Sequence, residues 1–89
     1  MQEEEVKKQL VGTIAHYYGK IGVGVVDLVD TLKVGDEILI QGNVTNLRQK
    51  VESMEIEHKQ VESATKGQSI GLKTVDRVRE GDQVFKILE

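Results

Sequence analysis

Cysteine, proline and tryptophan are all absent from this 89-residue chain, and its aromatic residues are only Tyr17, Tyr18 and Phe85. Without cysteine there is no disulfide scaffold and no thiolate metal site. No apolar run approaches the roughly 20 residues that a membrane-spanning helix requires. The first residues, Met1-Gln2-Glu3-Glu4-Glu5, are acidic where a secretory signal would be basic. These features lead to the expectation of a cytoplasmic protein with no membrane association. The formal net charge is −3, so no global field draws the chain to nucleic acid, and any such contact would need a local basic patch. The length is that of one small domain, and 38% of residues are hydrophobic. A compact core is possible only if those residues are well placed.

What is abundant is the punctuation of a β protein. Glycine and Asx residues interrupt stretches rich in valine, isoleucine and leucine. Strands are expected at 10–18, 21–29, 36–42, 50–58, 68–75 and 83–88, with a further short strand possible at 44–48. Residues 1–9 are expected to form a flexible N-terminal segment, a short helix there being left open, and residues 10–89 a single β-barrel domain. Alternation within 50–58 sets Met54 and Ile56 on the core side with Glu52 and His58, and Glu55 and Glu57 outward. Residues 21–29 are apolar on both faces, so their orientation stays open.

A spacing recurs three times. Leu32 and Ile38 flank Gly35, Ala64 and Ile70 flank Gly67, and Val78 and Val84 flank Gly81, each apolar residue three positions from its glycine. This reads as a corner: one residue pins the loop to the core, glycine takes a positive φ, and the next apolar residue opens a strand. At least one of the three glycines is expected at positive φ. Such corners suit a small closed antiparallel barrel of six to seven strands with Greek-key connections.

Several chemical readings fail on the residues themselves. Gly19-Lys20 is followed by Ile21 where a phosphate loop needs Ser or Thr, and Val23 to Val29 is strand-like where that loop needs a helix. The stretch is expected to be a hairpin turn, with no GTP bound. His16 and His58 lack metal-ligand spacing, so no metal and no cofactor are expected. Ser53, Ser63 and Ser69 stand in no nucleophile-elbow context. Glu55 and Glu57 read as a solvated pair. Asn43-Val44-Thr45 fits a glycosylation sequon and reads here as a polar turn. The second half carries Arg48, Lys50, Lys59, Lys66 and Lys73, mixed with acids.

Read together, Leu32 to Ile40, Val51-Glu52-Ser53-Met54-Glu55-Ile56, Ala64 to Leu72 and Arg79 to Val84 resemble the second domain of elongation factor Tu and related translational GTPases. The resemblance runs from about residue 11 to 86, without a gap from Val51 to Leu72. A closer likeness is to short translation elongation factor-like proteins and to the barrels at the C-terminus of collagenase-type peptidases. His16 to Gly22 and Val51 to His58 carry it. The resemblance implies an elongation factor Tu domain 2-like barrel without a GTPase domain and without enzymatic activity of its own. It implies a binding module contacting RNA or a ribosome-associated partner, with Glu55 at the position of a family glutamate near the aminoacyl end of bound tRNA. The alternative is an accessory protein-docking barrel that works with a collagenase-type peptidase; a subunit that oligomerises through an open edge is a third, purely structural reading. Candidate contacts for RNA or a partner are Tyr17, Tyr18, Lys20, Arg48, Lys50, Glu55, His58, Lys59 and Lys73.

Overall fold

A computed structural model describes residues 7–88. All regular structure among them is β, and no helix long and apolar enough to cross a membrane is present. The strands are β1 (Lys8–Tyr18), β2 (Val23–Leu28), β3 (Leu32–Lys33), β4 (Glu37–Gln41), β5 (Asn46–Lys50), β6 (Met54–Ile56), β7 (Lys59–Val61), β8 (Ser63–Ala64), β9 (Ser69–Lys73) and β10 (Gln83–Ile87). Eight form one antiparallel sheet in the order β5-β4-β10-β1-β2-β9-β6-β7, while β3 and β8 pair separately. Of the expected flexible segment 1–9, residues 1–6 lie outside the described residues, and Lys8 and Gln9 already belong to β1.

Chain connectivity makes the sheet wrap. Residues 51–53 alone join β5, at one end of the order, to β6, next to the other end. The two ends therefore face one another across the core. No ladder joins β5 to β7, so the all-β, antiparallel expectation is met while the expected closure into a barrel is not seen among the described residues. A side chain bridges part of the gap. Gln49, buried on β5, donates through Nε2 to the Lys73 carbonyl at 3.0 Å, and its Oε1 accepts the Val75 N–H at 2.9 Å.

Inside the wrap sit Val11, Ile14, Val26, Leu28, Leu32, Ile38, Ile40, Val51, Met54, Ile70, Leu72, Val78 and Val84, each nearly or fully buried. Burying one such side chain stabilises by about 1.5–3 kcal/mol before ordering costs are counted. Val26 and Leu28 face inward on β2, while Val23 and Val25 are half-buried, which resolves the ambiguous strand. A β-bulge between Ile14 and His16 re-aims the end of β1, setting His16 and Tyr18 outward and Tyr17 onto the core.

The corners are repeated in detail. Gly35, Gly67 and Gly81 have φ of 99°, 89° and 92°. The six flanking apolar residues are all buried. Each glycine N–H donates to a residue of another segment: Val51, Leu28 and Ile14 respectively, at 2.8, 3.0 and 2.8 Å. The N–H groups of those three residues return to the carbonyls of Asp36, Gln68 and Asp82. Each corner is thus a two-way backbone clasp onto a buried position.

One expected strand is wrong. Residues 50–58 do not run as a single strand: the end of β5, a three-residue connection and β6 share them, and Glu57-His58 forms a turn. Both turn residues have positive φ, 52° and 67°, joining Ile56 to Lys59 across a two-residue hairpin. That is the geometry of a type I′ turn, which usually takes Asn-Gly or Asp-Gly. His58 therefore does not share a face with Met54. Met54 is buried and Ile56 packs half-buried against the core, as alternation implies.

Candidate functional site

The end of the molecule that carries the tyrosines is assembled from three segments. The turn after β1 closes through the Gly22 N–H to the Tyr18 carbonyl at 2.9 Å, and Gly22, not Gly19, holds the positive φ of 68°. The expected hairpin is present, with the glycine role shifted by three residues. Thr74 N–H donates to the Gly22 carbonyl at 3.0 Å, and Lys73 Nζ to the Ile21 carbonyl at 2.9 Å. These bonds strap the hairpin to the end of β9, and Gln49 fixes Val75 from the other side.

These hydrogen-bonded segments carry exposed apolar side chains. Tyr18, Ile21 and Val75 are 51%, 59% and 64% exposed. Beside them, His16 meets Tyr18 edge-on with ring centroids 4.4 Å apart, and its Nδ1 lies 3.0 Å from Glu80 Oε2. Tyr17 packs on the core and lines a cleft of about 280 Å³ with Arg77, Val78, Arg79 and Glu80. Lys20 is exposed in the hairpin itself. Among the expected contact residues, Tyr17, Tyr18, Lys20 and Lys73 therefore come together.

The other candidates do not join them. Arg48 Nε bonds Glu37 Oε2 at 2.6 Å, and Lys50 stands across the β4–β5 ladder from the same glutamate. The Arg48 hydrogen bond holds the Glu37 carboxyl below its ordinary value; the charges of Arg48 and Lys50 add to this, and desolvation opposes it. Glu55 is half-buried on β6, opposite Gln60 and Gly71. His58 and Lys59 belong to the β6–β7 hairpin. The basic residues expected to form one RNA patch are spread over several strands, Arg48 is matched with an acid, and the Lys73 ammonium is bound to a backbone carbonyl. Sequence reasoning missed Ile21 and Val75, because isolated β-branched residues read as strand interior. Among the described residues, no group of three or more His, Asp or Glu side chains is placed to hold a metal ion.

No family profile matches the chain. Over 84 residues, 93% of this chain, it is 42% identical to an uncharacterized protease of Methanocaldococcus jannaschii. Over 82 residues, 90% of the chain, it is 37% identical to a collagenase of Porphyromonas gingivalis. It spans only 21% and 23% of those relatives. Its fold is that of the C-terminal domain of a protein described as a U32 peptidase, from Geobacillus thermoleovorans. Two structures of that domain superpose with TM-scores of 0.81 and 0.83 at 19% identity, covering 85% and 90% of this chain and 96% and 93% of theirs.

These matches correct three expectations. The main reading, a translation-factor module contacting RNA or a ribosome-associated partner, is overturned by relatives and structural neighbours that are peptidases and peptidase domains. The associated keywords of translation and RNA binding fall with it. The expectation of a chain without enzymatic activity of its own is also overturned, by matches over nine-tenths of its length to proteins named for proteolysis, of which it spans about a fifth. The collagenase-type resemblance is the part that holds.

Proposed function

We propose that this chain is a peptidase-associated docking domain of the U32 or collagenase type. The carrying observation is its match, over nine-tenths of its length, to about a fifth of a protease and of a collagenase. Residues 10–89 act as one domain, whose described part joins Lys8 and Gln9 of β1 in a wrapped sheet that amounts to an interrupted barrel. The partner is the remaining portion of such a peptidase, and the contact is the end bearing Tyr18, Ile21 and Val75. Exposed aromatic and branched side chains on hydrogen-bonded turns suit an anchor, because little ordering cost remains when they are buried. Tyr17 and the His16–Glu80 pair border this anchor, with Lys20 and Lys73 at its rim.

Titration calorimetry of this 89-residue chain into the Porphyromonas gingivalis collagenase lacking its matching segment tests the reading. Saturable binding is expected, weakened at least about tenfold by Tyr18→Ser, a hot-spot loss of about 1.4 kcal/mol or more. Salt should change the association rate more than the dissociation rate. Absence of binding, or binding insensitive to Tyr18→Ser and Ile21→Ser together, would overturn it.

A further inference from the structure

Strand register lines up a row of uncharged polar side chains away from the tyrosine end. Thr13 on β1 is opposite Gln83 on β10, Gln83 is opposite Gln41 on β4, and Gln41 is opposite Asn46 on β5. The neighbouring residues Ile14, Val84 and Ile40 are buried, so alternation puts the polar row on the outer face. Strands lie about 4.8 Å apart, and the four positions span roughly 14 Å.

This row floors an open trough of about 800 Å³. One wall is the β4–β5 loop, residues 42–45, closed by the Gly42 N–H to the Thr45 carbonyl at 2.9 Å. The other is the corner at Gly81, fixed by its clasp onto Ile14. The walls touch: the Asp82 carboxylate occupies the space a side chain on Gly42 would need.

Most of the hydrogen-bonding capacity of the floor is unspent. Among the described residues, the side chains of Thr13, Gln83 and Asn46 make no intramolecular hydrogen bond. Gln41 uses Oε1 to accept from Lys8 Nζ at 2.8 Å, which leaves its amide N–H groups to donate outward. Primary amides offer a donor and an acceptor together, the same pair a peptide group presents. Ionic charge of both signs is balanced around the floor: Arg79 and the Lys8 ammonium on Gln41 are cationic, Glu80 and the Asp82 carboxylate in the wall anionic. Two cations matched by two carboxylates give the trough no net preference for an acidic or a basic chain. Further along the strands, two residues on from Gln83 and Gln41 and three from Thr13 across a β-bulge, Phe85, Leu39 and Leu10 are in register as a strip beside the amides, with the Lys8 ammonium 4.4 Å over the Phe85 ring.

From this juxtaposition we infer that the trough binds an extended, uncharged polypeptide segment laid across the four strands. About four residues fit its length at ~3.4 Å each. Peptide groups bond to the amide row, and small side chains rest on the Leu10–Phe85–Leu39 strip. The choice of a polypeptide over another neutral polar chain rests on the peptidase-associated reading; the trough then holds a substrate chain, separately from the docking end.

The test is a nuclear magnetic resonance titration of the full chain with a ten-residue peptide of glycine, alanine and serine, acetylated and amidated at its ends. The side-chain amide signals of Gln41, Gln83 and Asn46 are expected to move, with a Kd on the order of 1 mM. A Gln83→Ala/Asn46→Ala variant, altered only at exposed positions, should keep a folded spectrum and lose about tenfold in affinity. Tyr18→Ser should leave the affinity unchanged. Unmoved amide signals, movement confined to the Tyr18 end, or movement with a neutral oligosaccharide and not with the peptide would each overturn the inference. The collagenase titration is scored separately. Docking without peptide binding sinks this inference alone, and peptide binding without docking sinks the docking reading alone.

Discussion

The Asp82 carboxylate accepts the backbone N–H of Arg79 at 2.8 Å, and in return the Asp82 N–H donates to the Arg79 carbonyl at 3.1 Å. The same ring recurs twice. Asp36 closes onto Lys33 at 2.9 and 3.1 Å, and Gln68 onto Thr65 at 2.8 and 3.1 Å. Each corner thus carries a glycine at positive φ followed by a side chain that satisfies the N–H three residues back. Asp82 is 4% exposed, whereas Gln68 is in solvent.

That difference in burial ranks the corners. Asp82→Ala empties a buried side-chain position and strips the part-buried Arg79 N–H of its acceptor, at a cost of about 1–3 kcal/mol, while Gln68→Ala lets water substitute and should cost under about 1 kcal/mol. Urea midpoints of the two variants read this directly. Equal losses would mean that the side-chain bonds are incidental to the corners.

Gly67 isolates the conformational contribution. A Cβ there meets no atom within 4 Å, so no clash complicates a substitution. Gly67→Ala should destabilise by about 1 kcal/mol through its φ of 89° alone. A synthetic chain with D-alanine at this position should be at least as stable as the parent. If both enantiomers destabilise equally, the positive φ is not the cause.

These corners were the most legible part of the fold. Leu32, Ile38, Ala64, Ile70, Val78 and Val84 were recognisable from spacing alone, because a pin, a turn and a strand start need fixed separations. The residue after each glycine, Asp36, Gln68 or Asp82, belongs to the same pattern, because its side chain closes the corner. Strand pairing was not legible, since β4 meets β10 and β2 meets β9 through contacts that local pattern cannot encode. The candidate site was partly legible. Tyr17 and Tyr18 stood out by rarity, whereas Ile21 and Val75 acquire meaning only once Thr74 and Gln49 tie their loops together. The trough was invisible, because Thr13, Gln83, Gln41 and Asn46 become neighbours only through register.

The β6–β7 hairpin predicts a stabilising change. Glu57 and His58 both pay for left-handed backbone without the relief glycine or asparagine would give. Replacing them with Asn-Gly should raise stability by about 1–2 kcal/mol and leave the Ile56–Lys59 register unchanged. Thermal unfolding and amide exchange at Lys59 would check it. A loss of stability would show that the Glu57 or His58 side chain contributes more than its backbone costs.

Acid behaviour follows from Glu37. Its folded pKa lies below the ordinary 4.5, chiefly through the hydrogen bond from Arg48. A depressed carboxylate pKa contributes stability that is complete above the unfolded value and lost as pH falls through the folded one. The window therefore opens near pH 4.5 and extends downward. Both partners are largely exposed, so water and salt screen the pair and its share of total stability is small. Arg48→Met should return the Glu37 carboxyl to its ordinary titration in a carbon-detected pH series. In 1 M salt, where the Debye length is about 3 Å, the wild-type depression should shrink without vanishing, because the contact itself is only 2.6 Å. A Glu37 titration unchanged by Arg48→Met would mean that the ion pair does not set it, and Lys50 across the ladder would then be the group to remove next.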